Sequence, residues 1–244
     1  MAALTLSAEE LASRRLHPAT LAAGVGAMRE HGWLAITNAV PVAQCEAVRA
    51  RMAADTPTVL GLAQKLHGRG PHVYTHGNLQ QDPPFALKEC CSEELLANPW
   101  AVQIARACAG GRKLLPSYTG NTNLPGSRTQ PVHRDSRHAA EPLTTFVVNV
   151  CPCDVSLRNG AIELWPGTHA EAEVEEAERA AAAADGSKDS WGGEFPPEHW
   201  DRRRQQVPPV RLESRAGGLL LRDMKLWVSA ARGCVLAVRV AFGP

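Results

Sequence analysis

The sequence has 244 residues, 44% of them hydrophobic and 21% charged, with 26 Lys and Arg against 25 Asp and Glu for a formal charge of +1. That composition excludes a disordered or fibrous chain, and the balanced charge leaves no basic footprint for nucleic acid. No run approaches the eighteen or more apolar residues of a membrane span, and Met1–Glu10 is too acidic for a leader peptide, so a soluble, cytoplasmic chain is expected.

Ser7 and Glu10 stand at capping-box spacing ahead of Leu11 and predict a short helix over about residues 7–15. A second helical stretch over 18–31 ends at Gly32. Residues 33–39 then alternate as a strand, with Leu34, Ile36 and Asn38 on one side and Trp33, Ala35 and Thr37 on the other. Pro41 suits the first turn of a third helix, with Val42, Cys45, Val48 and Met52 on one face. Residues 61–84, rich in Gly and Pro, read as loop, and 93–109 as helix. Residues 117–138 form the most polar and turn-rich part of the chain.

Residues 143–150 make the clearest strand, rich in β-branched side chains. Asn159-Gly160 marks a turn before another strand at 161–164. A Glu/Ala-rich run within about 170–186 reads as a solvated helical insertion. Strands return at 209–212 and 218–222. Residues 235–242 alternate, with Leu236, Val238, Val240 and Phe242 on one face and Arg239 on the other. Helices first and closely spaced strands later point to an antiparallel β core with helices outside. One domain over 1–244 is expected, a mostly helical flank (1–110) followed by the β core (111–244). Seven cysteines, an odd number with no Cys-x-x-Cys pair, argue against a disulfide framework or a structural zinc site.

The chemistry centres on His133-Arg134-Asp135. On extended backbone, residues two apart share a face. An imidazole and a carboxylate converging there can furnish two ligands of a 2-His-1-carboxylate facial triad, whose open positions serve co-substrate and oxygen at non-haem iron. In a chain with nine histidines such a pair is a weak signal by itself. Asn149, inside an apolar strand, either faces a cavity or satisfies backbone groups in the core; Trp227 reads as core.

Longer motifs strengthen the pair. Asn121-Thr-Asn-Leu-Pro-Gly-Ser-Arg-Thr-Gln-Pro-Val-His133-Arg-Asp135 resembles the phytanoyl-CoA dioxygenase family of Fe(II)/2-oxoglutarate oxygenases. In that family an Asn-rich segment, Pro-Gly and Gln precede the metal-binding His-x-Asp. Asn159–His169 is similar to the family's Asn-Gly…Pro-Gly-[Ser/Thr]-His signature, and 217–227 resembles the strand leading to the second metal His. The resemblance implies a mainly β fold with flanking helices, a double-stranded β-helix (jelly roll, cupin-like), with His133 and Asp135 as iron ligands at its mouth. It also implies 2-oxoglutarate as co-substrate. The family's arginine eleven residues after the distal His pairs with the far carboxylate of 2-oxoglutarate, and a planar guanidinium suits that task. Arg239 stands eleven residues after Val228. Gln130 and Asn121 are further candidates for cofactor contact, against plainer roles as a polar strand residue and a turn former. The implied reaction is oxidation, usually hydroxylation, of a small organic substrate with release of succinate and CO2.

The sequence departs from the family pattern at one ligand. Leu226-Trp227 is followed by Val228 where the second His is expected, and Ser229–Cys234 replaces the usual Gly-x-Pro-Asn. Three readings follow. The third ligand comes from elsewhere, with His138 or His169 the nearby candidates. Or the protein is a natural variant without normal catalysis, a binding or regulatory protein on the same scaffold. Or the sequence beyond Trp227 is not the family's own end, because Val-Ser is what a splice donor encodes when an intron stays in frame; the β-helix would then be incomplete at its C-terminus.

Overall fold

A computed structural model describes residues 2–67, 78–113, 115–124, 127, 129–135, 143–171, 197–230 and 236–243. The N-terminal elements form where their caps specify. Helix α1 (Ala8–Ser13) starts at Ser7, whose hydroxyl accepts from the Glu10 N–H while the Glu10 carboxylate accepts from the Ser7 N–H. Helix α2 (Pro18–His31) ends at Gly32, which adopts φ 78° and donates its N–H to the Met28 carbonyl. Strand β1 (Ala3–Leu4) lies parallel to β2 (Trp33–Ile36). β2 is shorter than the 33–39 expected, because residues 37–40 turn away toward α3 (Val42–His67).

Helix α3 runs through residues 61–67, which composition had marked as loop. Cys45, Val48 and Met52 are buried on its inner face, but Val42 is 51% exposed. At about 100° per residue Val42 sits roughly 80° round from Met52, at the margin of the stripe and in the first turn. Strand β3 (Asn78–Gln80) also replaces expected loop. The single helix expected over 93–109 is two, α4 (Glu93–Leu96) and α5 (Pro99–Cys108). Asn98 divides them: its side-chain oxygen caps the Ala101 N–H, its amide donates to the Ala39 carbonyl, and Pro99 opens the second helix.

Strand β4 (Leu115–Asn123) occupies part of the stretch expected to be turn-rich. Strands β5 (Phe146–Val150), β6 (Ile162–Leu164), β7 (Val210–Leu212) and β8 (Leu219–Asp223) lie where alternation and β-branching put them. Helix α6 (Pro197–Gln206) had no clear sequence signal, and the Glu/Ala-rich run falls outside the described residues from residue 172 onward. Two last strands, β9 (Val228–Ala230) and β10 (Leu236–Gly243), follow Trp227.

These strands make two sheets. The larger has the order β1-β2-β8-β5-β10-β4-β3 and is antiparallel apart from the β1–β2 pair; the smaller has the order β7-β6-β9. Burial separates the two faces of the larger sheet. Leu34, Ile36, Val148 and Leu221 pack against Met28, Val48, Met52 and Ile104 of the helices. Trp33, Ala35 and Leu220 pack instead against Leu164, Leu212 and Val228 of the smaller sheet. A helical layer thus covers one side of the large sheet and the small sheet covers the other, the architecture of a jelly roll.

Register then identifies the rows of residues that pair across the larger sheet. One row runs Ala35, Leu220, Asn149, Arg239, Thr119 across five strands. The next on the same face runs Trp33, Arg222, Val147, Ala241, Ser117. The row is apolar at β2 and polar toward β4. Asn121 shares this parity on β4 and pairs with Ala237 and Gln80.

Candidate metal centre

The His-x-Asp segment is attached to the edge of the small sheet. The His133 N–H donates to the Val228 carbonyl and the Val228 N–H to the His133 carbonyl, each at 2.9 Å. Antiparallel residues that exchange both bonds are directly opposed, and their side chains share a face. Val228 therefore stands across from His133. It is 1% exposed, packed with Trp33, Leu164, Leu212, Leu220 and Leu226. Ser229 adds a second clamp, its hydroxyl donating to the Gln130 carbonyl at 2.7 Å, so Gln130 engages β9 through its main chain.

The Pro-Gly-Thr-His turn braces the same strand from behind. The Thr168 hydroxyl accepts from the Trp227 N–H at 2.9 Å and lies 2.8 Å from the Trp165 carbonyl. Trp227 is core as expected, clustered with Val132 and Trp165, and Arg204 of α6 lies over the Trp165 ring. His169, one of the two replacement ligands considered, is buried against the C-terminus of α2. Desolvation lowers its pKa to about 4, partly offset by the Arg29 and Met28 carbonyls that its ring meets. A Cβ on Gly32 would lie 2.5 Å from its Nδ1. His138, the other candidate, lies outside the described residues.

At the pair itself, His133 Nδ1 lies 2.8 Å from the Pro131 carbonyl. That contact assigns the Nδ1–H tautomer and leaves the Nε2 lone pair available to a metal. Nε2 is 3.6 Å from Asp135 Oδ1. The other carboxylate oxygen, Oδ2, accepts from Arg222 Nη2, and Arg222 Nε donates to the Asn149 side-chain oxygen at 3.1 Å. Asn149 thus faces the space between the sheets. Arg222 is 0% exposed. It had no place among the sequence candidates, although a charged residue within Leu219-Leu-Leu-Arg-Asp is itself a signal, since an arginine rarely enters a buried strand without a partner.

The neighbouring Asp223 has a different task. Its carboxylate accepts from the Leu143 and Lys225 N–H groups, which holds Leu143 at φ 60° and ties the approach to β5 to the end of β8. Burial pushes its pKa up to about 6 against the pull of those N–H groups and of Arg134 and Arg222. Asn121 of β4 pairs with Ala237 and Gln80, and Arg239 of β10 pairs with Asn149 and Thr119. The six cysteines among the described residues are free thiols.

An imidazole nitrogen and a carboxylate oxygen are donors of the kind a divalent metal takes. His133 Nε2 and Asp135 Oδ1 converge to 3.6 Å, while Val228 opposite offers an aliphatic surface. No group of three or more His, Cys, Asp and Glu side chains assembles into a metal site among the described residues.

Two opposed antiparallel sheets under a helical layer, with His-x-Asp bonded to the edge of the smaller, place the chain with the iron/2-oxoglutarate oxygenase class. The profile of the Phytanoyl-CoA dioxygenase (PhyH) family matches residues 28–232, and the chain belongs to that family. Solved structures agree on the fold. AviO1 from Streptomyces viridochromogenes Tue57 is 18% identical, with a TM-score of 0.60 over 94% of this chain and 97% of that one. The epimerase SnoN, in complex with Fe3+, alpha ketoglutarate and nogalamycin RO, is 17% identical, with a TM-score of 0.60 over 93% and 84% of the two chains. EctD from S. alaskensis, solved with 2-oxoglutarate and 5-hydroxyectoine, is 13% identical, with a TM-score of 0.58 over 90% and 74%. At such identities the likeness is one of fold. Among the described residues no helix is long and apolar enough to cross a membrane.

Proposed function

We propose that this chain is an Fe(II)/2-oxoglutarate-dependent oxygenase-type protein for a small organic substrate, with His133 and Asp135 as protein ligands of the metal. The observation that carries the reading is the convergence of His133 Nε2 and Asp135 Oδ1, 3.6 Å apart, with the far ring nitrogen engaged by Pro131. Iron held there would supply the oxidising chemistry, coupled to conversion of 2-oxoglutarate to succinate and CO2. The residues of the chain bind and orient. His133 provides a neutral nitrogen donor, and Asp135 offsets part of the metal charge. Arg239, in register with Asn149 and Thr119, is assigned to the far carboxylate of 2-oxoglutarate. Asn121 and Gln130 are assigned to further contacts with co-substrate or substrate. The apolar cluster around Val228 keeps water from the side opposite His133.

Val228 itself favours a second reading, a non-catalytic binding or regulatory protein on the same scaffold that takes up the dicarboxylate without turnover. Titration with Mn(II), with 2-oxoglutarate binding and decarboxylation followed in parallel, separates the two. Micromolar Mn(II) uptake that is lost in His133→Ala and Asp135→Ala, together with 2-oxoglutarate consumption, supports the oxygenase reading. Binding of 2-oxoglutarate without metal uptake or turnover supports the second.

A further inference from the structure

We propose that Arg222 is a positioning residue for Asp135, fixing which carboxylate oxygen is presented beside His133; the inference rests on the reading of His133 and Asp135 as the metal pair. A buried guanidinium carries a heavy desolvation penalty unless its donors are matched. Here it lies in a row flanked by Trp33 and Val147. Two of its donors, in one rigid plane, have separate acceptors. Nε meets Asn149 Oδ1 at 3.1 Å, which sets the plane, and Nη2 meets Asp135 Oδ2. Oδ2 of the carboxylate is therefore engaged by Arg222, and rotation about the Cβ–Cγ bond would break that contact. Oδ1 is the oxygen beside His133 Nε2, at 3.6 Å. With the position opposite His133 filled by valine, the orientation of this one carboxylate weighs more heavily than in a site with three protein donors.

A cation this close also opposes a bound metal by Coulomb repulsion, so removing the charge would mix two effects. Arg222→Lys keeps the charge and loses the planar fork. Asn149→Ala keeps the charge and loses the acceptor that sets its plane. Mn(II) affinity is measured by EPR titration, and Co(II) coordination by visible absorption, for the parent chain and both variants. Each measurement is repeated with Val228→His, which adds the third donor. Expected is a loss of about 10-fold in Mn(II) affinity for Arg222→Lys, the scale of a lost contact behind a metal ligand, with an altered Co(II) spectrum, and a loss of a few-fold for Asn149→Ala. Unchanged affinity and spectrum in folded Arg222→Lys overturn the inference, whatever happens to the Tm. Should that variant not fold, the same result in Asn149→Ala does so. His133→Ala and Asp135→Ala distinguish the failures. If they abolish binding while Arg222→Lys does not alter it, only the role of Arg222 falls. If they leave binding intact, or if no chain takes up Mn(II) even with Val228→His, the metal pair falls and this inference with it.

Discussion

Val228 has no lone pair, and it occupies the cross-strand position opposite His133 through a pair of 2.9 Å backbone bonds. Its neighbours are Trp33, Leu164, Leu212, Leu220 and Leu226, so the valine is held by apolar packing. Val228→His would bring an imidazole to the face that already carries His133. Because even a contact behind a ligand is worth about 10–100-fold in metal affinity, the added donor should raise Mn(II) affinity by at least that factor in calorimetric titration. It should also lower the Tm of the metal-free chain by a few degrees, since a polar ring enters an aliphatic cluster. A metal-free Tm that falls without any gain in affinity would mean that residue 228 does not face the metal pair.

Two helix termini show how short-range chemistry fixes elements. Glu10 is buried, and its carboxylate accepts from the Ser7 and His17 N–H groups, each at 2.9 Å. The Ser7 N–H contributes most to holding its pKa down at about 2, against desolvation. Ser7→Ala should cost about 1 kcal/mol in chemical denaturation, the usual worth of an N-cap side chain. Gly32 ends α2 at φ 78° with His169 against its Cα. Gly32→Ala faces both an unfavourable backbone conformation and a Cβ placed 2.5 Å from His169 Nδ1, so a loss of about 2 kcal/mol or more is expected. Gly26→Ala, in the same helix with open space around its Cβ position, should be neutral or stabilising, and the pair compared by thermal melts isolates the Gly32 effect.

For the molecule as a whole, two buried groups near the centre make stability respond to pH with opposite signs. The pKa of His169 falls from 6.5 to about 4 on folding, so its contribution is present above pH 6.5 and lost as pH drops toward 4. That of Asp223 rises from 3.8 to about 6, so its contribution is present below pH 3.8 and lost as pH climbs through 6. Each amounts to about 3 kcal/mol across its window, and the two largely cancel between pH 4 and 6. Urea denaturation of the parent chain should show little slope there. His169→Gln should become more stable on acidification and Asp223→Asn less stable, and two parallel flat profiles would contradict both assignments. Below about pH 4 protonation of Glu10 takes over, and stability should fall steeply.

The sequence alone determined what depends on neighbours along the chain. Ser7 and Glu10 made their capping box, Gly32 closed α2, and alternation located β5, β8 and β10, because caps and periodicity act within a few residues. The motifs around His133, Asp135 and Gly167 also identified the family. Tertiary structure decided the rest. Residues 117–123 of β4 read as turn-rich, because the polar side chains at Ser117, Thr119 and Asn121 fall on the face turned toward the space between the sheets, where polarity is compatible with a strand. Helix α3 keeps Pro57 inside its span, against a strong local preference. Only the packing of the two sheets brought Arg222 to Asp135, 87 residues apart in sequence, and only long-range strand pairing brought Val228 to His133. Local chemistry writes elements and motifs into a sequence, but the second oxygen of a carboxylate is oriented by whatever the fold brings beside it.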